Sequence, residues 1–148
     1  MNDLDENKRR IQRRIATARV KHMSNAKWRK VFATIHSFST GFGDLGIKFI
    51  NDDRLFTGQM PGPDFEYDDN FGECGGASYA PFSHIEFLQL PNQYRRELDG
   101  PRYPATEFTN DLKSLIERLG EVGAFAIQAY DGGIRILGYE WDADNSSS

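Results

Sequence analysis

The sequence has one cysteine, three histidines and no long run of apolar residues. Because Cys74 has no second cysteine to pair with, no internal disulfide can form, which favours a reducing compartment. The apolar runs are too short for a membrane-spanning helix, so we predict no membrane association. The first residues are charged and lack the apolar stretch of a secretory signal. The sequence therefore predicts a cytoplasmic protein.

Short catalytic motifs are also missing. The sequence contains no HExxH, CxxC or GxSxG pattern, no phosphate-binding loop and no dinucleotide fingerprint. We therefore predict a non-enzymatic protein with no catalytic residue, metal or cofactor. One alternative remains open, a small hydrolase that uses His84 and Glu86, with Cys74 as a third group. His84 and Glu86 are two positions apart on a predicted strand, so their side chains would share a face.

Positive charge is scarce outside the N-terminal region. Residues 1–31 hold ten Lys and Arg against three Asp and Glu, a net of +7, and residues 32–148 hold eight against nineteen, a net of −11. A second alternative is thus a nucleic-acid-associated regulator. It would act through Arg9, Arg10, Arg13 and Arg14. We do not expect a nucleic-acid partner, because the acidic body repels polyanions and residues 8–22 lack aromatics for base stacking.

Hydrophobic periodicity predicts three helices. Residues 3–22 form a basic helix with a narrow apolar stripe. Residues 26–37 form a core helix capped by Ser24, with apolar residues at helical spacing. The third helix begins at Thr106 or Thr109, ends at Leu119, and has Gly120 just after its end.

The strand pattern predicts an antiparallel sheet. Residues 46–50 and 55–57 form a hairpin, residues 84–90 form an alternating strand, and residues 124–130 and 134–141 form a hairpin around an Asp-Gly-Gly turn. The expected fold class is α+β, with a mainly antiparallel sheet of about five strands. Two helices pack on one face, and the basic N-terminal helix is additional. The predicted organisation is a helical extension at 1–23, one domain at 24–141 and a disordered tail at 142–148.

Residues 63–76, PDFEYDDNFGECGG, carry five carboxylates and no Lys, Arg or His. A calcium loop requires Gly at its sixth position and Glu at its twelfth, where this segment has Asp69 and Gly75, so we predict no metal site. Aromatic side chains between carboxylates are typical of a surface that docks a basic protein, although a solvated loop remains an alternative. The predicted partner-binding residues are Asp52, Asp53, Asp64, Phe65, Glu66, Tyr67, Asp68, Asp69, Phe71 and Glu73.

Three segments support a resemblance. Residues 27–29 read Lys-Trp-Arg, residues 85–88 read Ile-Glu-Phe-Leu, and residues 135–139 read Arg-Ile-Leu-Gly-Tyr. Over residues 24–141 the chain resembles a family of small bacterial α+β proteins, and in size and acidity it is similar to immunity proteins that neutralise bacterial toxins. The resemblance to immunity proteins implies a protein-binding module that occludes a cognate toxin, and it carries over no functional residues. The acidic-aromatic segment is predicted as the contact surface from its own side chains.

Overall fold

The computed structural model describes residues 3–38, 42–58, 70–71 and 80–142. Three α-helices lie in these ranges: α1 Asp3–Ala16, α2 Asn25–His36 and α3 Leu112–Val122. The strands are β1 Val20–Lys21, β2 Leu45–Phe49, β3 Phe56–Gly58, β4 Asn70–Phe71, β5 Ala80–Pro81, β6 Ile85–Pro91, β7 Gln93–Arg96, β8 Thr106–Thr109, β9 Ile127–Tyr130, β10 Gly133–Leu137 and β11 Tyr139–Glu140.

The main sheet has five strands in the order β3-β2-β6-β10-β9, and every neighbouring pair is antiparallel. The pairs β1-β11, β4-β5 and β7-β8 form three small two-stranded sheets. The predicted α+β class, the antiparallel five-stranded sheet and the two packed helices with an additional basic helix are confirmed. Hairpin connections account for the two outer pairs, β2-β3 and β9-β10. The β2-β6 and β6-β10 pairs join strands that are far apart in the chain.

The core lies between the main sheet and the pair α2 and α3. Leucine and isoleucine side chains of β2, β6 and β10 meet the apolar faces of both helices. The helix α2 begins where the sequence predicts, because the Ser24 hydroxyl accepts a hydrogen bond from the Lys27 N–H at 3.2 Å. The fully buried side chains with the largest volumes are Trp28, Phe32, Phe82, Ile35, Leu45, Ile47, Ile85, Leu88, Leu90, Leu115 and Leu119.

The predicted helix over 3–22 is too long. The structure ends α1 at Ala16, and the Thr17 hydroxyl donates to the Arg14 carbonyl at 2.7 Å. Val20–Lys21 then pairs with β11, so backbone pairing replaces the last predicted helical turns. Ile11 is 6% exposed in a second apolar cluster with Ile50 and Tyr139, apart from the main core. The helix therefore contacts the rest of the chain through a small apolar patch and a strand.

The predicted start of the third helix is also wrong. Thr106–Thr109 is strand β8, whose partner is β7, and the Tyr94 and Phe108 rings stack with centroids 5.3 Å apart across this pair. The helix starts at Leu112 instead, with the Asp111 side chain accepting from the Ser114 N–H at 3.2 Å. Gly120 lies inside α3, which continues to Val122. Threonine and phenylalanine favour strands when a partner strand is available. The pairing of β8 with β7 therefore overrides the helical spacing of the apolar residues in this segment.

Candidate functional site

The main sheet has a second face that α2 and α3 do not cover. Six side chains on this face define what we call the second sheet face: Lys48 of β2, Glu86, Phe87 and Gln89 of β6, Tyr130 of β9 and Arg135 of β10. All six are partly exposed. A sheet with one packed face and one polar face is the expected form of an antiparallel α+β layer.

A bulge in β6 determines which of its side chains lie on the second sheet face. Ile85 and Leu88 are both fully buried although they are three positions apart. The pairing of β2 with β6 shifts register between Lys48 and Phe49, so the strict alternation predicted for residues 84–90 does not hold. Leu88 and Leu90 enter the core, and Phe87 turns to the second sheet face.

Arg135 lies at the centre of the second sheet face. Its Nε donates to Gln89 Oε1 at 2.9 Å, across the register pair that joins β10 to β6. The guanidinium carbon lies 4.6 Å from the Phe87 ring centroid and 5.1 Å from that of Tyr130. Stacking against two rings is a favourable cation–π arrangement and holds the guanidinium in one orientation. Burial raises the pKa of Tyr130, and the nearby Arg135 charge acts in the opposite direction.

The other charges of this face are paired. The Lys48 ammonium donates to Glu86 Oε1 at 3.0 Å, with side chains 21% and 23% exposed. Among the described residues, Arg135 makes no ion pair, so it is the cation of this face that lacks a carboxylate partner.

The hydrolase pair is not assembled as the strand alternation predicts. His84 is the last residue of a short 3₁₀ turn, Phe82–His84, and does not belong to β6. Within the described ranges, His84 and Glu86 make no hydrogen bond or ion pair with each other. Burial lowers the pKa of His84 below its usual 6.5, and the charge of Lys8 adds to this effect. Cys74, the third group of that hypothesis, lies outside the described residues.

The two aspartates predicted from the β2-β3 turn differ in their surroundings. Both oxygens of Asp52 accept hydrogen bonds from the Arg54 side chain, at 3.0 and 2.9 Å. This pairing lowers the pKa of Asp52 and raises that of Arg54. Asp53 is exposed. Since the Asp52–Arg54 pair has no net charge, Asp53 supplies the negative charge at this turn.

Most of the predicted partner-binding residues lie outside the described residues. Phe71 belongs to the described strand β4, where only its backbone is placed. The predicted disordered tail also lies outside, except for Asp142, whose Oδ1 is 3.5 Å from Arg19 Nε. The residues without a described position are Asp64, Phe65, Glu66, Tyr67, Asp68, Asp69 and Glu73.

The basic side chains of α1 are distributed over two environments. Arg14 covers the Trp141 ring, with its guanidinium carbon 4.1 Å from the centroid. Arg9, Arg10 and Arg13 are exposed. A groove of about 630 Å³ runs along α1, and its described lining residues are Glu6, Lys8, Arg9, Gln12 and Arg13.

The sequence did not predict the cluster at Arg135. Gln89 and Arg135 are 46 positions apart, and only the register of β6 against β10 brings them together. One signal was available: Gln89 lies between Leu88 and Leu90, and Arg135 lies between Ile134 and Ile136. In each strand the polar residue therefore faces away from its aliphatic neighbours. The predicted Asp-Gly-Gly turn also sets the register of β9 against β10. That register places Tyr130 on the same sheet face as Arg135.

The fold and this surface define the chain as an α+β protein with a helix-covered sheet face and a second face that carries cationic and aromatic groups. Comparison with known protein families, with curated proteins and with solved structures found no match. The family resemblance therefore stays a prediction. The segments that support it pack on each other, since a Cβ on Gly138 would lie 3.4 Å from the Trp28 ring.

No group of three or more His, Cys, Asp or Glu among the described residues is placed to hold a metal ion. None of the helices in those ranges combines the length and apolar character needed to cross a bilayer.

Proposed function

We propose that this chain is a non-enzymatic protein-binding module and that the second sheet face contacts the partner. The observation that supports this proposal is the Arg135 guanidinium, which lies over the Phe87 ring and over the Tyr130 ring. Arginine and aromatic side chains are the groups that contribute most of the binding energy in protein interfaces. Their fixed geometry lowers the side-chain entropy lost on binding. The expected compartment remains the cytoplasm.

A position-specific crosslinking experiment tests this function. A photoreactive phenylalanine analogue replaces Gln128, an exposed residue that pairs with Arg135 across β9 and β10. The control carries the same analogue at Glu117, exposed on α3. In the native cell, we expect one protein to crosslink at position 128 and not at position 117. The crosslink should disappear when Tyr130→Ala is added, because an interface aromatic contributes about 2 kcal/mol or more.

The same experiment defines the result that contradicts the proposal. Equal crosslinking at 128 and 117, or crosslinks at 128 that persist with Tyr130→Ala, would show that the second sheet face is not the contact surface. Each variant must first show the thermal unfolding midpoint of the parent protein, so that a lost crosslink reports the surface and not the fold. A purified partner then permits a direct affinity measurement.

A more specific form of the proposal is an immunity protein that occludes a bacterial toxin. Its support is the −11 net charge of residues 32–148 and the exposed carboxylate of Asp53. Attraction between an acidic surface and a basic cleft accelerates association and makes it dependent on salt. With a purified toxin domain as the partner, Asp68→Lys with Asp69→Lys should slow association and reduce its salt dependence.

A matched variant controls for net charge. Glu117→Lys with Glu121→Lys makes the same change of charge on exposed positions of α3. We expect its association rate to change by less than that of the Asp68 and Asp69 variant. If both variants slow association equally, the net charge and not the acidic segment steers the partner. We do not propose nucleic acid as the partner, because residues 23–148 hold eleven Lys and Arg against nineteen Asp and Glu.

A further inference from the structure

The hydrogen-bonding groups of Arg135 are only partly used. A guanidinium has five N–H donors, and its end formed by the two Nη groups matches the two oxygens of a carboxylate. Gln89 Oε1 occupies the Nε donor at 2.9 Å. Among the described residues, neither Nη group of Arg135 donates a hydrogen bond. The Phe87 and Tyr130 ring centroids lie 4.6 and 5.1 Å from the guanidinium carbon, and the end formed by the two Nη groups has no hydrogen-bond partner among the described residues.

The backbone under Arg135 is well fixed. β10 is paired on both sides, with β6 and with β9, and Arg135 takes part in both registers. Its neighbours Ile134 and Ile136 are buried in the core at 7% and 0% exposure. A cation fixed by strand, rings and amide loses little freedom when it binds an anion, so more of the interaction energy appears as affinity.

The local charge fits an anion of a single charge. Lys48 and Glu86 form a pair with no net charge, and Phe87, Gln89 and Tyr130 are neutral. The second sheet face therefore has a net charge of +1, which one carboxylate would balance. A phosphate group with nearly two negative charges would be left partly uncompensated.

We infer that the Nη groups of Arg135 bind the carboxylate of an aspartate or glutamate side chain presented by the protein partner. This inference rests on the proposed function for the source of the carboxylate, and it names the chemistry of the contact. The carboxylate would accept two parallel hydrogen bonds from Arg135, and the Phe87 and Tyr130 rings would exclude water around it. The partner therefore carries an acidic residue at this contact. This local attraction acts even though the present protein has a net negative charge.

The first test uses a small probe and the isolated full chain. N-acetylglutamic acid α-amide carries one side-chain carboxylate, and N-acetylglutamine α-amide is its uncharged match. In a nitrogen-15 NMR titration of the arginine side chains, we expect the Arg135 resonances to shift progressively with the glutamate compound and not with the glutamine compound. Arg118 is the internal control, because it also lies over a ring, 4.3 Å from the Phe38 centroid, and donates to Ser37.

Three results would overturn the inference. They are no shift of Arg135 with the glutamate compound, equal shifts of Arg135 and Arg118, and a response of Arg135 to inorganic phosphate at lower concentration than to the glutamate compound. The last result would assign the site to phosphate. The titration is repeated with Arg135→Lys, which keeps the charge but lacks the two-pronged geometry, and we expect weaker binding of the probe.

The second test uses the crosslinked partner. Arg135→Gln should weaken its binding by about 10- to 100-fold, the usual effect of losing a hydrogen-bonded charge, while Arg118→Gln should change it by less than about twofold. If Tyr130→Ala abolishes partner binding but Arg135→Gln does not weaken it, the carboxylate inference fails and the proposed function stands. If Arg135 binds the probe but no crosslink depends on the second sheet face, the proposed function fails and the carboxylate site stands.

Discussion

The buried side chain of Asn110 makes three hydrogen bonds to backbone groups. Its side chain accepts from the Gly43 N–H at 2.9 Å and donates to the carbonyls of Gly43 and Pro91 at 3.0 and 2.8 Å. The residue is 4% exposed, so these backbone groups have little access to water as a substitute partner. One amide thus connects the segment before β2, the end of β6 and the start of α3.

Replacing Asn110 with alanine leaves three buried or partly buried backbone groups without their partner. We expect the free energy of unfolding to fall by about 3 kcal/mol, because each unsatisfied buried polar group is costly. Urea denaturation measures this change. The control is Asn92→Ala, at an exposed position, which should alter stability by less than about 0.5 kcal/mol. A loss at Asn110 no larger than at Asn92 would contradict the bridging role.

Gly138 is required by close packing. A Cβ there would lie 2.4 Å from the Ile85 carbonyl oxygen and 3.1 Å from that of Glu86, both of which belong to backbone. Gly138→Ala should therefore destabilise the protein by about 1 to 3 kcal/mol through overpacking. Gly120→Ala is the control, since nothing lies within 4 Å of its added Cβ and it is inside α3.

The two glycine variants should shift the thermal unfolding midpoint in opposite directions. In a helix interior, alanine is favoured over glycine by up to about 1 kcal/mol, so Gly120→Ala should raise the thermal unfolding midpoint. Gly138→Ala should lower it. Equal effects at the two positions would mean that the contact between Gly138 and β6 is not tight in solution.

Among the elements, α1 contributes through few contacts. Among its described side chains, Ile11 is buried, in contact with the cluster of Ile50 and Tyr139, and the Trp141 indole N–H donates to the Arg14 carbonyl at 3.0 Å. Ile11→Ala should reduce the free energy of unfolding by about 2 kcal/mol, the lower end for a truncated core residue. Gln12→Ala changes the adjacent exposed position and should have almost no effect.

Hydrogen exchange distinguishes local from global loss in the Ile11 variant. We expect faster exchange at the amides of Arg19 and His22, which bond to the carbonyls of Glu140 and Gly138. The amides of β6 and β10 should remain protected, because they belong to the main sheet. Unchanged exchange at Arg19 and His22 would show that α1 and β1 are stabilised separately.

The accuracy of the sequence predictions depends on how local each signal is. Helix α2 and the β9-β10 hairpin are specified by their own caps and turn, so both are confirmed. Strand β8 pairs with β7, and the Phe108 and Tyr94 rings stack across this pair. No two-residue turn such as Asp-Gly joins these strands, so the sequence carries no short hairpin signal for them. The second sheet face depends on the register of β6 against β10, in which Gln89 pairs with Arg135, 46 positions away. Hydrophobic periodicity within one segment does not give the register between two strands.

For the whole molecule, His84 links pH to stability. Burial lowers the pKa of His84 below 6.5, with a further contribution from the charge of Lys8 on α1. The unfolded chain therefore binds a proton at His84 more readily than the folded chain does. The stability that neutral His84 contributes is complete above about pH 6.5 and is lost as the pH falls toward its folded pKa.

A variant isolates this contribution from those of other groups. His84→Asn removes the titration, so its free energy of unfolding should fall less than that of the parent between about pH 7 and pH 5. The pairing of Asp52 with Arg54 affects a lower range, because it lowers the pKa of Asp52 from 3.8. Chemical denaturation at several pH values measures both. Parallel curves for parent and variant between about pH 7 and pH 5 would contradict the assignment to His84.

The pairing of β1 with β11 has a consequence for synthesis on the ribosome. The hydrogen bond between His22 and Glu140 joins residues 118 positions apart, so β1 cannot pair until β11 has been synthesised. Until residue 140 emerges, the apolar side of α1 has no Tyr139 to cover it, and a ribosome adds only about 5 to 20 residues per second. A nascent chain of this protein thus exposes a basic amphipathic segment for several seconds, during which a chaperone has access to it.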